Sequence, residues 1–197
     1  MSLVGFAVAG GRSRRMGQDK ALLPWGDADL LAHALVRLAS VTDDVRILAG
    51  SELRHTERGG SVVVDVAPDL GPLAGLLAAL ESAPEEALLL GIDLPLIPPA
   101  LLTRLATLGR ESDADAIVPV SRRGPEPLCA VYGPGCLAPV HQRVADGDLK
   151  MTGFWPDVRV REVGPDELAA FGDPDELFLN VNTPEDYERA RALDRSR

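Results

Sequence analysis

Between Ala9 and Lys20 the chain reads Ala-Gly-Gly-Arg-Ser-Arg-Arg-Met-Gly-Gln-Asp-Lys. Three glycines (Gly10, Gly11, Gly17) let the backbone approach a ligand closely and take positive φ angles. Arg12, Arg14, Arg15 and Lys20 place four cations in nine residues, and the segment stays at +3 after Asp19 is subtracted, in a chain of net charge −10. Guanidinium forks beside exposed N–H groups suit a polyphosphate. The segment lacks Gly-Lys-Ser/Thr and Gly-x-Gly-x-x-Gly, so it is neither a Walker A loop nor a dinucleotide fingerprint, and the phosphate cradle is of another kind.

Asp93 closes the apolar run Ala87–Ile92 and precedes Leu94-Pro95. A carboxylate there is a hard oxygen ligand for Mg²⁺, which keeps several waters and needs only one or two carboxylates plus phosphates. A turn or helix-cap aspartate would carry the same local pattern. Asp65 follows the run Val62–Val64, where a turn-forming role is equally open. Asn180 and Asn182 flank Val181 and would share one face of an extended segment; Asn182-Thr183 can also cap the helix that follows. His33, His55 and His141 have no metal-ligand spacing and read as helix or loop residues. Trp25 and Trp155 could stack on a ligand or simply pack.

These groups need a scaffold, and the apolar pattern supplies one. Runs of three to seven residues recur: Val4–Ala9, Val45–Ala49, Val62–Val64, Ala87–Ile92, Ala116–Val120 and Leu128–Tyr132, each closed by turn residues. Near-continuous apolar runs fit strands buried on both faces. Helical patterns lie between them at Leu30–Leu38, Leu73–Leu80, Ala100–Leu108 and Pro184–Leu193, the last opening on Thr183-Pro184-Glu185-Asp186. Alternating strand and helix predicts an α/β fold, a mostly parallel sheet covered on both faces. Arg122–Val163 breaks the rhythm and predicts antiparallel strands and a substrate-facing lobe within one domain spanning residues 1–197. In such sheets ligands sit beyond the carboxyl ends of the strands, so Gly10–Lys20, Asp65, Asp93 and Asn180–Asn182 are the functional candidates.

Composition narrows the class. Of 197 residues, 46% are hydrophobic, enough for a core, but only 4% are aromatic, so Leu, Val, Ala and Ile must fill it. The acidic balance argues against nucleic acid or an anionic membrane as partner. No apolar stretch approaches a membrane span, and Met1–Gly5 lacks a signal peptide's basic flank, so a cytoplasmic location is expected. Cys129 and Cys136 read as buried thiols in a reducing compartment.

Ala9–Leu23, which follows Ala-Gly-Gly-x-Ser-x-Arg-Met-Gly-x-Asp-Lys-Ala-Leu-Leu, resembles the signature of nucleotidyltransferases with the nucleotide-diphospho-sugar transferase fold, and within them the molybdenum cofactor guanylyltransferases. Gly71–Gly75, Asp93–Pro95, Glu126–Tyr132 and Asn180–Asp186 resemble that family's further motifs, in the same order. The chain departs from the family where an Asn is common near the end of the second strand; Leu48-Ala49-Gly50 stands there.

The resemblance implies a three-layer α/β/α, Rossmann-like, mostly parallel sheet with antiparallel strands in the C-terminal half. It implies transfer of GMP from GTP to molybdopterin with release of pyrophosphate and with Mg²⁺ as cofactor. Ala9, Gly10 and Gly11 would lie against base and ribose, Asp65 would contact the nucleotide, Arg15 would hold the triphosphate, Lys20 would balance charge, and Asp93 would hold the metal. Asn180 and Asn182 would reach the site, and Lys150 falls where a basic residue often faces the acceptor, though it also reads as a surface lysine. Contact with cofactor-synthesis proteins or recipient molybdoenzymes would be transient. The alternatives are a cytidylyl or other nucleotidyl transfer to molybdopterin or a sugar phosphate, or an inactive nucleotide-binding adaptor.

Overall fold

A computed structural model describes residues 2–10, 19–50, 52–58, 61–64 and 71–195. Gly11, Arg15 and Asp65, with the other arginines of the first loop, lie outside the described residues.

The strands are β1 (Leu3–Val8), β2 (Pro24–Trp25), β3 (Ala28–Asp29), β4 (Asp44–Leu48), β5 (Ser61–Val63), β6 (Glu86–Gly91), β7 (Ala116–Ser121), β8 (Gly124–Pro125), β9 (Cys129–Tyr132) and β10 (Val160–Val163). The helices are α1 (Leu30–Ala39), α2 (Gly71–Ser82), α3 (Pro99–Glu111), α4 (Leu137–Ala145), α5 (Pro165–Leu168), α6 (Pro174–Leu177) and α7 (Pro184–Asp194). The expected elements are present with ends shifted by up to three residues.

The main sheet runs β10-β7-β9-β6-β1-β4-β5, with β8 paired to β7. β5, β4, β1 and β6 are mutually parallel, and so are β7 and β10. β9 is antiparallel to both neighbours, β6 and β7. The antiparallel strands expected in Arg122–Val163 are therefore there, but one of them lies inside the main sheet rather than in an appended lobe. Its residues Cys129–Tyr132 are all buried, so an apolar run long enough to be covered on both faces takes a central place.

Two apolar layers cover the sheet. On one face Leu31, Leu38, Leu102 and Leu105 from α1 and α3 pack on Ala7, Ile47, Leu88 and Leu90. On the other, Leu73, Leu76, Leu77 and Val140 from α2 and α4 pack on Val4, Phe6, Leu89 and Val118. Both cysteines are buried and unbridged; burial pushes the Cys136 thiol up to about 12 and that of Cys129 higher still. Among the described residues no helix is long and apolar enough to cross a membrane.

The chain moves outward from β1 to β4 and β5, then returns across β1 to β6. This reversal opens a crevice beyond the carboxyl ends of β1, β4 and β6, the place where open α/β sheets bind ligands.

Candidate active site

Three polar side chains from distant parts of the sequence meet at that crevice. Lys20 Nζ donates to Asn182 Oδ1 at 2.8 Å and lies 3.6 Å from Asp93 Oδ2. Asp93 follows β6, Lys20 opens a single 3₁₀ turn (Lys20–Leu22), and Asn182 precedes α7. The Asp93 and Lys20 side chains keep only 21% and 15% of their surface, so the pair is shielded yet reachable. Burial pushes the Asp93 carboxyl up, and Lys20 pulls it back. A carboxylate in that balance favours any further cation that can reach it.

Local packing places each group. A third apolar cluster (Leu23, Trp25, Leu30, Leu96, Leu179, Val181 and Ala190) welds the segment after Lys20 to the segment bearing Asn182. The Val181 amide donates to the Asp93 carbonyl at 2.9 Å. Leu179 to Asn182 is not a strand, but buried and outward residues alternate along it, so Asn180 and Asn182 share the outward side as expected. Thr183 and Asp186 form a capping box, and Asp186 also accepts from the Asn182 amide. Asn182 thus meets Lys20 while the residue after it caps α7.

Two glycines are required by close approach. A Cβ on Gly91 would stand 2.6 Å from Asp93 Oδ1, because the carboxylate folds back over the strand end. A Cβ on Gly10 would stand 3.1 Å from the backbone of Gly50, which itself has φ +79°. Where β1 and β4 end, two glycine backbones touch, and Ala9 donates its amide to the Leu48 carbonyl at 2.9 Å.

Several site-building residues were not among the sequence candidates. His33 and Arg37, four residues apart on α1, reach the turn after Asp93. His33 Nε2 bonds the Pro95 carbonyl at 2.9 Å, so the nitrogen carries the proton there, and Arg37 Nε donates to the Ile97 carbonyl at 2.7 Å. Burial, then the charge of Arg37, lowers the His33 pKa to about 4. Polar residues at i and i+4 on an otherwise apolar helix stripe were the available signal. Glu126 accepts from the Ser121 hydroxyl at 2.7 Å. Burial pushes its carboxyl up, Ser121 and Arg123 oppose this, and the charge of Asp93 adds to the rise, so the two acids share one electrostatic neighbourhood.

Lys150 is exposed and lines an open groove of about 720 Å³ with Pro125, Pro127, Trp155 and Val160. Asp93 is not part of its lining. Trp25 is a core residue, stacked edge-on to Tyr187 at 6.1 Å.

The model of the MobA-like NTP transferase domain matches residues 5–154. The chain belongs to this family. It is 36% identical to a probable molybdenum cofactor guanylyltransferase of Pelotomaculum thermopropionicum, over 98% of this chain and 94% of that protein. It is 32% identical to the molybdenum cofactor guanylyltransferase of Desulfosudis oleivorans, over 97% and 95% respectively. Among solved structures, the molybdopterin-guanine dinucleotide biosynthesis protein A of Archaeoglobus fulgidus superposes with a TM-score of 0.85, covering 99% of this chain and 100% of that one at 23% identity. The sequence resemblance and the α/β sheet with antiparallel insertions agree with these relatives in family and in fold.

Proposed function

We propose that this chain transfers GMP from GTP to the terminal phosphate of molybdopterin and releases pyrophosphate. The convergence of Lys20, Asn182 and Asp93 at the crevice carries this reading, supported by the names its relatives bear.

The acceptor phosphate oxygen attacks the α-phosphorus, a new O–P bond forms, and the bond to the β-phosphate oxygen breaks with its electron pair leaving on pyrophosphate. A phosphate monoester is largely dianionic at pH 7, its second pKa being about 6, so no general base is needed. What remains is positioning and charge neutralisation. The Lys20 ammonium sits where it can face the transferring phosphate, and Asn182 aims it. A flat base and ribose would lie against Ala9 and Gly10, beside the Gly10–Gly50 contact, and Gly11 and Asp65 would contribute to nucleotide binding. Arg15 would hold the departing pyrophosphate.

The donor set fits Mg²⁺: a hard carboxylate at Asp93, held up in pKa by burial, with the amide oxygen of Asn182 nearby and Glu126 in the same neighbourhood. Mg²⁺ binds through one or two carboxylates together with phosphates and water. When bound, the ion supplies Lewis-acid neutralisation of phosphate oxygens. Asp93 would hold it while Lys20 limits repulsion between Asp93 and the triphosphate. Asn180 lies on the same outward side as Asn182, and Lys150, beside the Trp155 groove, is the cation available to the acceptor.

Turnover with GTP, Mg²⁺ and molybdopterin, read as pyrophosphate release, tests the reading. Lys20→Ala and Asp93→Ala should each abolish most of it, and GTP should outcompete CTP, UTP and ATP. Preference for CTP would move the assignment to a cytidylyl transfer, and GTP binding without turnover would make the chain an adaptor.

A further inference from the structure

Lys20 and Lys150 are the chain's only lysines, and the backbone that presents Lys20 is short. The single 3₁₀ turn Lys20–Leu22 is held from its start by Asp19, whose Oδ1 accepts from the Ala21 amide at 3.0 Å. The other oxygen of Asp19 turns outward to the segment after β4. There it meets His55 Nε2 at 3.6 Å and Arg54 Nη1 at 3.7 Å.

That segment is built with effort. His55 is buried, with 7% of its surface left, and holds φ at +64°, the only described non-glycine residue in the left-handed region. A residue with a β-carbon is disfavoured there and persists only where the surroundings over-determine it. Here they do. The Arg58 amide bonds the His55 carbonyl at 3.0 Å, and the Arg58 guanidinium pairs with Asp29 at 2.6 Å. Asp29 in turn caps α1 by accepting from Ala32 at 2.9 Å. Arg54 Nη2 reaches the Ala49 carbonyl at the end of β4. One end of the segment grips the residue before Lys20, and the other grips the cap of the helix that follows. Yet His55 Nε2 is buried without a hydrogen-bond acceptor, and a shift of about 0.6 Å toward Asp19 would give it one.

We propose that His55 and Arg54 are positioning residues for Lys20, acting through Asp19: the strained, buried imidazole and the guanidinium fix the Asp19 carboxylate, which fixes the turn that aims the ammonium at Asp93 and Asn182. This rests on the reading of Lys20 as the group that neutralises the transferring phosphate. The sequence conceals the arrangement because Asp19 and His55 lie 36 positions apart.

The substitution His55→Gly removes the ring and relieves the backbone, so it separates positioning from folding. The holoenzyme assayed with GTP, Mg²⁺ and molybdopterin should keep its Tm while kcat falls about tenfold with KM for GTP nearly unchanged, the signature of an interaction lost in the transition state through misplacement of a group. His55→Asn tolerates the left-handed backbone and keeps an N–H donor, so it should recover most of kcat. A second readout needs no turnover. The Lys20 side chain keeps only 15% of its surface and is shielded from an amine acylating reagent by its place against Asp93 and Asn182, so His55→Gly should raise acylation of Lys20 about threefold relative to Lys150 by mass spectrometry. Wild-type kcat and wild-type Lys20 labelling in His55→Gly, with Lys20→Ala inactive, would overturn the positioning role alone. Full activity in Lys20→Ala would overturn the reading beneath it and the role with it.

Discussion

β6 has a buried acid at its start and a half-buried one just beyond its end, and the two are treated differently. Glu86 opens the strand and Asp93 follows its close. Burial pushes both carboxyls up. Each lies against a glycine whose Cβ would collide with it: Gly109 of α3 at 2.7 Å from Glu86 Oε1, and Gly91 at 2.6 Å from Asp93 Oδ1. Glu86 has 4% of its surface exposed and lies against α3, where the charge of Arg110 is the foremost of those that ease it and the charge of Glu85 opposes them. Asp93 faces a crevice where a lysine and an asparagine have been brought from 73 positions upstream and 89 positions downstream. Desolvation at both ends puts a carboxylate under stress; at the carboxyl end the fold sets a lysine and an asparagine from distant segments beside it.

The largest contrast is in turnover. Asp93→Asn should lower kcat by about 10²–10³-fold, the scale of losing one charge-stabilising group, whereas Glu86→Gln should leave kcat at the wild-type value. Steady-state kinetics on the two variants would erase the contrast if their losses matched.

The paired glycines sharpen it. Gly91→Ala should displace the Asp93 carboxylate and cost about 10- to 100-fold in kcat, since misplacement near an ångström is enough. Gly109→Ala meets an equally close oxygen, but helix propensity returns about 1 kcal/mol, so its stability by denaturant unfolding should stay within about 1 kcal/mol of wild type and its activity should not change.

Proton linkage gives a smaller effect. The Glu86 pKa is raised in the folded state, so its contribution to stability is present below the ordinary carboxylate pKa and is lost as pH rises through the folded value. Unfolding free energies followed from pH 4 to 7 should fall more in the wild type than in Glu86→Gln. His33 has the opposite sign. Its folded pKa of about 4 lies below the ordinary 6.5, so stability present above pH 6.5 is lost as pH falls toward 4. His33→Gln should flatten that acidic slope.

Much of this was legible before any coordinates. Apolar runs ended by Gly, Asp or Asn marked the strands and their carboxyl ends, because strands covered on both faces are mostly apolar and the turns beyond them are mostly polar. Lys20, Asp93 and Asn182 were named from those positions, and the structure brings them within 2.8–3.6 Å. The place of β9 was not legible: Leu-Cys-Ala-Val-Tyr announces a buried strand, but pairing partner and direction are set by tertiary packing. His55 and Arg54 were hidden for a related reason. A lone histidine carries no local periodicity, and its left-handed backbone is fixed by contacts from Arg58 and Asp19. His33 and Arg37 could have been found, since two polar residues one helical turn apart on α1 need partners on the layer beneath.

The most direct measurement is a crystal structure of the chain with a non-hydrolysable GTP analogue and Mn²⁺, read by anomalous scattering. The account predicts a manganese peak at the Asp93 carboxylate, the triphosphate against Lys20 Nζ, and the base beside the Gly10–Gly50 contact. Analogue and manganese bound elsewhere, with the Lys20–Asn182–Asp93 crevice holding neither, would contradict it.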